Sequence, residues 1–156
     1  MTLVEWIGAW PGAVLLQRSG TAYLLVNAAH ILGVGLLVGA ILPLDLRLLG
    51  VIRRVPLAVI GPFLSRAAAT GVVLAIVTGL WLFSVKPAEY IGNSAFLAKM
   101  ALLVVALANV VLQHRSRSFA QALAHGELRP AVRLIAFCSA LLWLSVLVAG
   151  RWIGFV

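Results

Sequence analysis

TAYLLVNAAHILGVGLLVGAILPLDLRLLG, from Thr21 to Gly50, decides the reading of this chain. Its apolar core runs for about 23 residues, enough to cross the hydrocarbon of a bilayer as a helix. Two polar side chains, Asn27 and His30, interrupt that core, and Pro43, Asp45 and Arg47 close it. Lipid tolerates neither an amide nor an imidazole without a partner. A histidine at this depth therefore marks a candidate functional site.

Three more apolar runs follow. With a first span at about 21–44, the spacing predicts spans at about 64–85, 95–114 and 131–154. Of 156 residues, 63% are hydrophobic and only 10% charged, far from the balance of a water-soluble domain. Only helices and closed barrels satisfy their backbone in lipid, and no stretch here alternates as a barrel strand does. The expected fold is all-α: a single-domain, integral membrane, antiparallel four-helix bundle with short connections. Residues 1–18 are too short to span. Trp6 and Trp10 lie one turn apart on a short helix lying in the interface, which Pro11–Gly12 breaks. The segment VPLAVIGPF, between two prolines, reads as a loop skimming the membrane surface.

The net charge of +8 would suit nucleic acid, but the basic residues sit in short loops beside apolar runs. That excludes nucleic acid and makes the lipid bilayer the partner. Arg47, Arg53, Arg54, Arg66, Arg115, Arg117, Arg129 and Arg133 fall on one side, and Arg18, Lys86, Lys99 and Arg151 on the other. Eight against four orients the chain with both termini outside, in a bacterial inner membrane. Cys138 is the sole cysteine, so neither an internal disulfide nor a cysteine metal cluster exists. Gly35 and Gly39 have the small-xxx-small spacing of a close helix contact and suggest a homodimer. Thr70, Gly71, Thr78 and Gly79 mark the packing side of the second span. Lys99, Ala106, Asn109 and Gln113 form a stripe turned toward protein. Asp45 is expected to pair with Arg47 or Arg66 at the membrane boundary.

Counting about 1.5 Å per residue from the outer face places His30 about 13 Å deep and Lys99 and Arg151 about 5 Å deep. The offset of about 8 Å matches the reach from a haem iron to its propionates. His30 is thus a candidate axial ligand of haem b, with Lys99 and Arg151 on the carboxylates. Tyr23 and Asn27, outward of His30 on the same face, are candidate hydrogen-bonding supports. His114, about 27 Å from the outer face, is the alternative metal ligand. The expected activity is redox or electron transfer, as in a haem-dependent membrane oxidoreductase. The alternatives are a small polar-solute or metal carrier, lined by Asn27, His30, Asn109 and Gln113, and an accessory subunit of a membrane complex.

HILGVGLLVGAILPLDLRLLG, preceded by EWIGAWPGAVLLQRS and followed by VTGLWLFSVKPAEYIGNSAFLAKM and LLWLSVLVAGRWIGF, resembles a bacterial four-helix membrane family of unknown function. More distantly, a histidine in the first span and a lysine opening the third resemble the HemJ type of haem-binding protoporphyrinogen oxidase. His30 and Lys99 are the two positions that match. A weaker resemblance is to the CopD copper-resistance membrane domain. It would imply copper handling by Met, His or Cys, and here Met1, Met100 and Cys138 are scattered.

Overall fold

A computed structural model describes residues 2–155. Helix accounts for nearly all of them, and no strand occurs among the described residues. Among the described residues, four helices are long and apolar enough to cross a membrane: α3 (Gly20–Leu49), α4 (Leu57–Phe83), α6 (Ser94–Arg115) and α8 (Pro130–Trp152). Between and before them lie α1 (Leu3–Ala9), α2 (Pro11–Arg18), α5 (Pro87–Gly92) and α7 (Arg117–His125). A 3₁₀ turn, Ile153–Phe155, continues α8. Leu24, Leu32, Val73, Val104 and Leu134 are exposed, as lipid-facing side chains should be. The chain is a multi-pass membrane protein.

Thr2 caps α1, with Glu5 completing a capping box. Pro11 does end α1, but it also opens α2, because a proline at the first helical position loses no hydrogen bond. The expected single interfacial helix is therefore two. Both are tied to the end of α4: Trp81 Nε1 donates to the Gly12 carbonyl (2.9 Å), and Gln17 Nε2 donates to those of Gly8 and Val85.

Pro43, expected to close the first span, and Pro62, expected in a surface-skimming loop, both lie inside helices. Pro43 sits within α3, which runs on to a left-handed Gly50 (φ 84°). Pro62 sits within α4. Leu57, Gly61, Leu64, Ala68 and Gly71 recur at helical spacing on the buried side of α4. Burying that stripe outweighs one lost backbone bond, so the segment expected to skim the surface forms the first turns of α4. The loop expected at 115–130 likewise contains α7. Phe119 and Ala122 are buried, and Leu123 presses on Gly61, where a methyl group would collide with it.

The spans pack in the order α4–α3–α8–α6, each antiparallel to its neighbour. The backbones of α4 and α6 do not approach closely. Helix α7 packs against α4, α6 and α8 at the Arg-rich end. At the opposite end, where both chain termini lie, Phe83 of α4 stacks on Phe96 of α6 at 5.5 Å, with Tyr90 of α5 against both. The closest crossing is between α3 and α4. A Cβ at Gly33 would lie 2.7 Å from the Ala75 nitrogen, and one at Gly71 would lie 2.5 Å from that of Leu37. Gly35 and Gly39, by contrast, have open space around them. The intrachain contact belongs to Gly33, about half a turn from Gly35, and to Gly71 of α4. The core, from Leu37 to Leu48 on α3 and from Val132 to Trp143 on α8, fills the Arg-rich part of the interior. Toward the termini the burial is patchier: Thr78, Leu82 and Leu16 are enclosed, while His30 and Lys99 are half-buried.

Candidate functional site

His30 belongs to the inward stripe of α3 that continues through Gly33, Leu37, Ile41 and Leu44. Its Nδ1 lies 3.0 Å from the Ala75 carbonyl oxygen and 3.1 Å from Thr78 Oγ1, both on α4. The roles of these atoms follow from their chemistry. A carbonyl oxygen cannot donate. The Thr78 hydroxyl donates to the Leu74 carbonyl at 2.6 Å. Nδ1 must therefore carry the hydrogen, which leaves Nε2 of the neutral ring with a free lone pair. Gly79 makes this possible: a Cβ there would sit 3.0 Å from His30 Cε1.

The expected supports of His30 are elsewhere. Tyr23 is exposed and its hydroxyl meets that of Tyr90. Asn27 is half-buried and makes no hydrogen bond to the ring. The α4 backbone holds the ring instead, because helix crossing at Gly33 and Gly71 brings the Ala75 carbonyl within reach.

Lys99 lays its Cδ and Cε 3.7 Å from where a side chain on Gly150 would begin. Its ammonium has no acceptor among the described residues and lies within electrostatic reach of His30. Arg151 does not join them. It is exposed, with its guanidinium 4.6 Å above the Phe155 ring.

His114 is exposed at the Arg-rich end, with Nδ1 on the Val110 carbonyl (2.9 Å) and its ring against Phe119. It shares no site with His30. Among the described residues no three His, Cys, Asp or Glu side chains cluster. A groove of about 680 Å³, mostly apolar, lies between α6 and α8 beside Ala98, Ser145 and Trp152, and His30 does not line it.

Asn109 and Gln113 do face protein: their amides donate to the α8 carbonyls of Ile135 and Val132. Gly71 and Thr78 are buried as expected, but Thr70 is exposed. The expected pairing of Asp45 fails. Arg47 Nε donates to the Val55 carbonyl at 2.7 Å, and Arg66 is exposed. Asp45 is 3% exposed and meets only Ser139. The signal was present in the sequence: Asp45 falls four residues after Ile41, on the inward stripe.

The profile of one family, described as a family of unknown function (DUF6644), matches residues 5–156. The chain belongs to that family. No curated protein and no solved structure matches it. Membership of DUF6644 therefore agrees with four apolar spans and assigns no activity, so a function has to be argued from the side chains.

Proposed function

We propose that this DUF6644 protein binds haem b in a bacterial inner membrane, with both termini outside, and serves redox or electron transfer. His30 is the axial ligand. The observation that carries this reading is the Nδ1 contact with the Ala75 carbonyl, which leaves Nε2 to face a metal. Ligating histidines are commonly oriented by such a bond from their other nitrogen. Lys99 supports the reading as an unpaired, half-buried cation within reach of His30, suited to a propionate. The HemJ-type resemblance rests on these same two positions.

The bound group would supply one-electron chemistry. The chain's own part is to aim Nε2 through Ala75 and Thr78, to make room for the ring at Gly79, and to place the Lys99 charge. Arg151, turned to Phe155, is left out of the propionate contacts. The carrier reading loses support, since Asn109 and Gln113 commit their amide hydrogens to α8 carbonyls. A homodimer through the open Gly35/Gly39 face is compatible with this scheme.

Absorption spectroscopy tests it. Protein purified from haem-replete cells should show a Soret band that His30→Ala abolishes. Colourless wild-type protein would end the proposal. An unchanged band in His30→Ala would move the ligand, with His114 the next candidate.

A further inference from the structure

Among the described residues, four buried side-chain atoms have no hydrogen-bond partner, and each comes from a different span: Asp45 Oδ2 of α3, Ser65 Oγ of α4, Gln113 Oε1 of α6 and Trp143 Nε1 of α8. Native interiors rarely leave such atoms unsatisfied, and each one calls for a specific explanation. Three belong to residues that are almost wholly enclosed: Asp45 is 3% exposed, Gln113 6% and Trp143 1%. The set includes acceptors and a donor, which buried water could join.

Their order along α8 is regular. Starting at the Arg-rich end, Gln113 is bonded at Val132, Asn109 at Ile135, Asp45 meets Ser139, and Trp143 follows. Successive steps are three or four residues, about 5 Å each. Beyond Trp143, Val146 of α8 and Leu103 of α6 are apolar and pack against the core. The polar file thus enters from one end and stops near mid-membrane at an indole.

We propose that Asp45 is a proton-binding site loaded from the Arg-rich end through water along the α6–α8 seam. In the step a proton arrives from the aqueous phase and an O–H bond forms at the free Oδ2. No electron moves, and the reverse step returns the proton by the same route. Trp143 blocks passage to the opposite face, so the file is a proton well and not a channel. The charged groups around Asp45 leave its carboxyl unpaired. On α3, Arg47 is turned to Val55. On α4, Arg66 is exposed. On α8, Arg133 lies beside Gly50, about two turns nearer the end than Ser139. The packed faces of α6 bring no charge to this level. This inference is independent of haem.

Infrared difference spectroscopy of the full chain in liposomes tests it. Titration should reveal a carboxylic C=O band that Asp45→Asn removes, Asp45→Glu retains at a shifted position, and Ser139→Ala shifts. Identical difference spectra for wild type and Asp45→Asn, or absence of any such band in wild type, would overturn the assignment. In D₂O the band should shift by deuterium exchange, and Gln113→Leu should slow that exchange at least tenfold while leaving the band in place. An unchanged rate in Gln113→Leu would overturn the route.

Discussion

His30 and Gly79 are a matched pair: the imidazole lies across α4 where residue 79 has no side chain, with Cε1 only 3.0 Å from the position a Cβ would take. The contact is tighter than ordinary packing, so Gly79→Ala must push the ring or part the helices. The ring is then pulled from the Ala75 carbonyl, and its tautomer is no longer fixed. Gly79→Ala should weaken haem retention and alter the spectrum of what remains, while Thr78→Val, which keeps the Ala75 bond, should be milder. Equal and normal Soret bands in both variants would show that the α4 contact does not orient the ligand.

The glycines of α3 and α4 divide into two classes that a stability measurement can separate. Gly33→Ala and Gly71→Ala place a methyl group against backbone atoms of the partner helix, which cannot yield as a flexible side chain can. Overpacking of this kind costs about 1–3 kcal/mol. Gly35→Ala and Gly39→Ala meet nothing. Thermal unfolding in detergent should show a lowered transition for the first pair and none for the second. If Gly35→Leu lowers the mass measured by light scattering while leaving the transition in place, the open face is a dimer contact.

The four spans were legible because hydrophobicity in lipid leaves few alternatives: length and charge alone gave α6 and α8 almost to the residue. The ends of α3 and α4 were not legible. Pro43 and Pro62 are helix breakers in isolation, and only the buried stripe through Leu57, Gly61 and Leu64 shows why α4 starts early. For the site, His30 stood out as a lone polar group, and Lys99 as a cation inside a span. Their partners did not stand out, because a backbone carbonyl such as Ala75 has no signature in sequence. Register between helices is equally silent: that His30 meets Gly79 and that the Lys99 stem meets Gly150 could not be read from spacing.

At the termini end, Tyr90 gives a pH dependence with a definite sign. Burial among Phe83 and Phe96 pushes its phenol above the usual value of 10.0, and the neighbouring Tyr23 adds to the shift. The folded state therefore holds that proton more tightly than the unfolded chain. Its contribution is fully present below the unfolded value and is lost as pH rises through the folded one. Thermal stability should fall above about pH 10, and Tyr90→Phe should flatten that fall. An identical alkaline decline in Tyr90→Phe would place its cause elsewhere.

Lys99 and Arg151 looked equivalent as cations near one membrane face, and the structure makes them unequal. Lys99 rests its stem on Gly150 with a free ammonium within reach of His30, while Arg151 is exposed over Phe155. Removing a charge-assisted contact to a carboxylate costs about 1.5–3 kcal/mol. Lys99→Ala should therefore weaken haem retention roughly ten- to a hundredfold, with the spectrum of the remaining bound fraction nearly intact. It should also lower the midpoint potential, because a nearby positive charge favours the reduced, less positive iron. Lys99→Arg should be milder. Arg151→Ala should leave both quantities unchanged and disturb only the turn at Phe155. Haem titration of apoprotein and a redox titration of each variant would decide it. Equal losses in Lys99→Ala and Arg151→Ala would restore the symmetric pair, and no loss in either would leave Lys99 as a lysine that reaches only for lipid headgroups.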